Sequence, residues 1–179
     1  NDGEESAKPT SEAGAIHLGS DQALLLNIKI FNCSAYSGAG LKLHNMNDKP
    51  SQRIKIENCL ISMNSGESTA ALEFHSSIEI IQFEMRNSEI SENIVRFHAI
   101  VATFFSGVSG NLLFFYNVSV NNNVGRSIGS SFFLASIFCT ITFNNCRFIN
   151  NSLIGTPFLG GTVFLVYGGD SCLLYTSRR

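Results

Sequence analysis

The sequence predicts an all-β chain wound as a parallel β-helix of about five coils, on three observations. An asparagine follows a short apolar strand at Asn32, Asn58, Asn87, Asn117 and Asn145, with gaps of 26, 29, 30 and 28 residues. Pairs of small residues lead into alternating apolar positions at a matching period. No segment carries an apolar stripe at the 3.6-residue spacing of a helix. A near-constant period of this length marks a repeat architecture, whereas a β-sandwich needs no ladder of one residue type.

Around each asparagine the flanks agree. Two and four residues before it lie Ile28 and Ile30, Ile54 and Ile56, Phe83 and Met85, Leu113 and Phe115, Ile141 and Phe143. Period-2 alternation turns these inward and leaves Lys29 and Lys55 outward. Three residues after the asparagine come Ala35, Ile61, Ile90, Val120 and Phe148. Six residues after it come Gly38 and then Asn64, Asn93, Asn123 and Asn151, a second polar ladder. Each period therefore holds two or three short strands joined by turns.

The small-residue marker runs through Ala13–Leu18, Gly38–Leu43, Thr69–Phe74, more weakly His98–Ala102, then Gly129–Leu134 and Gly160–Leu165. Small side chains fit where backbone turns tightly or approaches a neighbour. The asparagines have a physical reason too. One coil cannot bury its own apolar face, so coils stack, and Asn tolerates the strained backbone at the bend better than most residues. Its amide can also bond the equivalent amides above and below, which predicts an inward, buried ladder at the anchor positions. Coils at roughly 4.8 Å spacing make a rod about 24 Å tall.

Hydrophobic residues make up 44% of the 179 and charged ones 15%, enough apolar matter for a core and against disorder. Fifteen Phe and no Trp suit a stacked interior, because Phe buries a ring without a polar atom. A net charge of −2 offers no basic footprint for nucleic acid. The longest clean apolar run, Ala99–Phe105, is too short to span a bilayer, so no membrane span lies within the chain. Residues Asn1–Glu12 are polar and read as a linker or lead-in, with the repeats over residues 13–169.

Of five cysteines, Cys33, Cys59 and Cys146 directly follow an anchoring Asn. Cys33 and Cys59 on adjacent coils would fall within disulfide range. The stronger reading is buried, unreacted thiols filling a tight corner.

Catalysis finds little support. Glycoside hydrolysis needs two carboxylates within about 5–10 Å, yet the four aspartates, Asp2, Asp21, Asp48 and Asp170, never fall side by side on a repeat strand. Arg53-Ile54-Lys55 reads as two solvated positions flanking a buried Ile54. His44 and His75 occupy equivalent slots and offer two metal ligands, but no third ligand joins them in register. No catalytic residue, metal or cofactor is assigned. Glu57, Glu73, Glu79, Glu84, Glu89 and Glu92 read as a solvated face. Among three sequons, Asn150-Asn151-Ser152 supplies the candidate glycosylation site, Asn150, because Asn32 and Asn117 stand in the predicted inward ladder.

Phe143-Asn144-Asn145-Cys146-Arg147-Phe148-Ile149-Asn150-Asn151-Ser152, followed by Gly160-Gly161-Thr162-Val163, resembles the chlamydial polymorphic outer-membrane protein repeat. That family is marked by Phe-x-x-Asn and Gly-Gly-Ala-(Ile/Leu/Val) tetrapeptides. Phe148–Asn151 matches the first, and Gly160–Val163 matches the second with Thr162 in place of Ala. Ile61–Asn64, Ile90–Asn93 and Val120–Asn123 keep the asparagine and replace the Phe. The resemblance covers roughly Ala13 to Tyr167. It implies a right-handed parallel β-helix of the pectin-lyase-like type, used as an exposed rod in adhesion or as a surface coat. Large surface proteins of protists carry similar degenerate repeats.

The expected function is a structural or adhesive segment of a cell-surface or secreted protein, meeting a partner protein or glycan through its lateral face or loops. The alternative is a fragment of a polysaccharide lyase or glycoside hydrolase whose catalytic coil lies outside the chain. Asp170–Arg179 resembles a translated sequencing-adaptor tail and is read as non-native, an ordinary strand at Cys172–Tyr175 being the other reading. With no initiating Met, the chain is expected to be a fragment.

Overall fold

The computed structural model describes residues 14–18, 22–44, 51–76, 80–97, 99–105, 111–126, 133–135, 139–154, 164–166 and 172–176. Among them every regular element is a strand, and the strands form four stacked parallel sheets, a β-solenoid. No helix there is long and apolar enough to cross a membrane.

The first sheet stacks Ile16–Leu18, Leu41–His44, Thr69–Ser76, Ala99–Phe105, Phe133–Ala135 and Phe164–Val166. The second stacks Gln22–Leu26, Ser51–Glu57, Ile80–Arg86, Asn111–Tyr116, Cys139–Asn144 and Cys172–Thr176. The third is built from Lys29–Phe31, Leu60–Ser62, Glu89–Ser91, Ser119–Asn121 and Arg147–Ile149. Two-residue strands, Ser34–Ala35, Ser65–Gly66, Ile94–Val95, Val124–Gly125 and Ser152–Leu153, make the fourth. A full turn of the solenoid thus carries four strands, where two or three were expected. The fourth sheet was hidden because two residues are too few to show alternation.

Register follows the apolar pattern. On the second sheet Ala23, Ile54, Phe83, Leu113 and Ile141 form one inward column, and Leu25, Ile56, Met85, Phe115 and Phe143 another. Ile30, Ile61, Ile90, Val120 and Phe148 line up on the third sheet. Leu41, Leu72 and Val101 face them from the first. Phe115 and Phe143 stack with ring centres 4.9 Å apart, and Phe74 meets Phe83 edge-on at 4.6 Å. Each fully buried side chain of this size contributes about 1.5–3 kcal/mol, which is how a stack of short strands holds together.

Two readings of the small-residue marker change. A bulge at Ala99–Val101 sets Val101 beside Leu72, and Phe133 then pairs with Val101, with Phe164 on Phe133. Counted at equal spacing from Thr69–Phe74, the marker segments Gly129–Leu134 and Gly160–Leu165 put Phe132 and Val163 there, one residue early, and a one-residue slip exchanges the two faces of a strand. The lead-in Asn1–Glu12 lies outside the described residues. Cys172–Thr176, within the segment set apart as a tail, pairs in register with Thr140–Asn144 and continues the second sheet.

The return from the fourth sheet to the first is tight. Two residues separate Gly66 from Thr69, whereas three separate its register mate Val95 from Ala99, the mate of Thr69. A Cβ on Gly66 would lie 2.1 Å from the Thr69 carbonyl oxygen, a backbone atom that cannot swing aside. Gly66→Ala is therefore expected to destabilise the fold by about 1–3 kcal/mol. An unaltered urea midpoint would show that the turn has slack.

Candidate functional site

Two asparagine columns exist, and they divide the work differently from the sequence expectation. Asn58, Asn87, Asn117 and Asn145 do stack, at the corner between second and third sheets, and their first member is Asn27 rather than Asn32. Leu26 pairs with Glu57, so Asn27 precedes Asn58 in the column. All five hold the left-handed backbone conformation, with φ between 46° and 55°. Asn32 stands five residues further on, at the next corner, in a column with Met63, Glu92, Asn122 and Asn150. These five are left-handed too, at φ 53° to 56°. The slip arose because both corners want a residue that tolerates positive φ, and the first turn has Asn at each.

These corner amides point outward. Asn58, Asn87, Asn117 and Asn145 are exposed, so their expected burial is corrected. The Asn117 amide donates to Asn87 Oδ1 at 2.9 Å, and Asn145 donates to Asn117 Oδ1 at 3.2 Å, a hydrogen-bonded strip in contact with solvent. Asn32 and Asn150 are exposed at the second corner, so the inward amide argued against a glycan on Asn32 is absent.

The buried ladder is the second one. Asn64, Asn93 and Asn123 are 1%, 0% and 0% exposed, and Asn151 is half-buried. Each amide nitrogen donates to the next Oδ1 along the axis, Asn64 to Asn93, Asn93 to Asn123 and Asn123 to Asn151, at 2.9–3.0 Å. Each also donates to a main-chain carbonyl of the preceding turn: Ile30, Ile61, Ile90 and Val120 respectively. The Oδ1 atoms accept in addition the backbone N–H of Asn64, Asn93 and Asn123.

Cys33, not Gly38, holds the first position of this column, and its N–H donates to Asn64 Oδ1 at 3.0 Å. Cys33→Asn should extend the ladder and stabilise by about 0.5–1.5 kcal/mol, the net worth of an added hydrogen bond. A lowered melting temperature would show that the terminal turn cannot seat an amide.

The same register separates the cysteines. Cys59 and Cys146 share the slot after the first corner with Ile28, Ser88 and Val118. Cys33 sits elsewhere, and neither Cys33 nor Cys59 is in a disulfide. A Cys33–Cys59 bridge, the weaker of the two readings, is thereby removed. Burial pushes the Cys146 thiol above its ordinary value, against the lowering pull of nearby main-chain hydrogen bonds. It stays protonated and a poor nucleophile at neutral pH.

One member of the supposed solvated acidic face is buried. Glu73, 3% exposed, pairs in register with Lys42, 7% exposed, on the outer side of the first sheet, with Nζ 3.3 Å from Oε1. The Ser37 hydroxyl donates to the other carboxylate oxygen. Gly38, at φ 60°, lies so close over the Lys42 stem that a Cβ there would sit 2.8 Å from Lys42 Cβ. The turn after the fourth sheet covers the pair, which alternation alone could not foretell. Glu57, Glu84 and Glu89 are half-buried and Glu92 is exposed, while Glu79 lies outside the described residues.

No catalytic constellation assembles among the described residues. Asp2, Asp21, Asp48 and Asp170 all lie outside them. Arg53 is exposed and donates to Gln82, Lys55 pairs with Glu57 at 3.1 Å, and Ile54 between them is fully buried. His44 and His75 are register mates, and no group of three His, Cys, Asp or Glu side chains able to hold a metal forms among the described residues.

The lateral surface is where chemistry is on offer. An open groove of about 560 Å³ follows the exposed asparagine corner from Asn27 to Asn117, with Lys29, Leu60, Glu89 and Ser119 along its third-sheet side. A second, of about 590 Å³, runs along the fourth sheet beside Glu67, Arg96 and Arg126. Both are elongated along stacked turns and lined by hydrogen-bonding groups repeated at the strand spacing. Such surfaces suit an extended ligand better than a small enclosed one. Compared with known proteins, the chain matches no family model, no curated protein and no solved structure.

Proposed function

We propose that this chain is a segment of a right-handed parallel β-helix, of the pectin-lyase-like kind and akin to polymorphic outer-membrane protein repeats. It serves a cell-surface or secreted protein as a structural or adhesive rod. Crossovers between parallel strands are overwhelmingly right-handed, which supports the hand. The observation that carries the functional reading is the pair of axial grooves on the lateral surface, each built from in-register polar side chains. A stack whose core is sealed by a buried amide ladder leaves those faces as its place of contact. Repeat solenoids commonly bind through such extended surfaces.

The test is a binding screen of the purified chain against arrays of glycans and extracellular proteins, with heat-unfolded chain as control. Saturable binding of the folded form alone is expected. Release of shortened or unsaturated products from a polysaccharide would replace the adhesive reading with the enzymatic one.

A further inference from the structure

We propose that the fourth-sheet groove is a binding site for the sulfate ester of an anionic glycan, with Arg126 and Arg96 holding the oxyanion. The proposal rests on reading the lateral surface as a docking face and names the ligand one part of it takes. Arg96 and Arg126 follow register mates Val95 and Gly125, so they project from neighbouring turns. Main-chain bonds fix both positions: Arg96 N–H donates to Gly66 O at 3.0 Å and Arg126 N–H to Val95 O at 2.9 Å.

Along this column the charges run minus, plus, plus. Arg96 donates to both oxygens of Glu67 at 3.2 Å, which leaves Arg126 without an anionic partner among the described residues. Like charges in register on adjacent strands repel, and only the Glu67 side of the pair is offset. An anion beside Arg126 balances the second positive charge. One guanidinium fork fills the two oxygens of a carboxylate, whereas two forks at one-turn spacing match the three terminal oxygens of a sulfate ester.

The remaining walls fit a sugar. Ser34 and Ser65 place exposed hydroxyls in register along the groove, and Ile94 and Phe97 offer apolar surface. The Phe97 ring lies 5.0 Å from the Arg96 guanidinium carbon, so an apolar sugar face and its charged ester would meet the ring and the arginines together.

The experiment titrates the 179-residue chain with a heparin-derived tetrasaccharide, its desulfated form with carboxylates intact, and a phosphoserine peptide, by calorimetry. The sulfated sugar alone should bind, less tightly as salt rises. Arg126→Ala should weaken it about 10–100-fold, the worth of a charged hydrogen bond, with Arg126→Lys intermediate. Glu67→Gln, which frees Arg96, should tighten it about two- to fivefold. Circular dichroism confirms that the variants fold, and Arg53→Ala on the second sheet should leave affinity unchanged. Equal binding by Arg126→Ala, or by the desulfated sugar, overturns the site, and preference for the phosphopeptide overturns the glycan. Glycan binding that survives Arg126→Ala removes this site but keeps the adhesive rod; failure to bind in both this titration and the array screen removes both.

Discussion

Replacing Asn93 by Leu is expected to lower stability by about 3–5 kcal/mol, although the two side chains share a branched shape and the same number of heavy atoms. Asn93 sits at 0% exposure in the middle of the inner ladder. Its loss leaves the Ile61 carbonyl, the Asn64 N–H and one Asn64 amide hydrogen without these partners on the preceding turn, and takes one of two donors from Asn123 Oδ1, which keeps the backbone N–H of residue 93. Each buried group left unpaired costs about 1–3 kcal/mol, and local relaxation recovers part of the sum. Asn87→Leu supplies the contrast. Asn87 is exposed at φ 46°, so that change should cost about 1–2 kcal/mol, mainly for forcing a branched aliphatic residue into the left-handed region. Asn87→Gly should be nearly neutral. Urea unfolding of the three variants measures the difference. Equal midpoints for Asn93→Leu and Asn87→Leu would mean that the inner ladder carries no special weight.

How much of this was legible in the chain divides along physical lines. The period, the inward columns of the second sheet and the parallel stacking were readable, because Ile54, Phe83, Leu113 and Ile141 can meet only when neighbouring turns align. The slot of the inner ladder was readable for the same reason at Asn64, Asn93, Asn123 and Asn151. Which asparagine faces in was not. A left-handed residue between two strands interrupts the alternation, so Asn58 points out although Ile56 two residues before it points in. The first turn was misread because Asn27 and Asn32 compete for one anchor, and Ala23 and Leu25 are weaker apolar markers than Ile28 and Ile30. Met63 and Glu92 at the second corner carry positive φ without the residue type that announces it.

The lateral grooves lay beyond sequence reasoning for another reason. Glu67, Arg96 and Arg126 are 29 and 30 residues apart, and nothing in their local context marks them as a column. A signal did exist. Once the repeat is aligned on the buried amides, each of the three follows its ladder asparagine by three residues, as Glu67 follows Asn64. Aligning on Asn64, Asn93 and Asn123, rather than on the exposed corner, brings the charge pattern out.

Removal of the Glu73 carboxylate should be about as damaging as any core change: Glu73→Ala is expected to cost about 3–5 kcal/mol. Ser37 and Gly38 close over the outer side of the first sheet, so Lys42 and Glu73 lie out of water although strand alternation turns them away from the core. Two charges removed from water are tolerable while they compensate each other, and taking one away leaves the other desolvated. Lys42 then either remains charged and unpaired by Glu73 or forces the turn open to reach solvent. The pair itself is not a strong source of stability, because desolvation offsets most of its attraction. The double change Lys42→Met with Glu73→Leu should therefore fold within about 1 kcal/mol of the parent, or above it. Thermal unfolding of the two single variants and the double one separates these effects. A double variant as unstable as Glu73→Ala would show that the turn depends on the Ser37–Glu73 hydrogen bond rather than on charge balance, and the covering of this face would then be a matter of one hydroxyl.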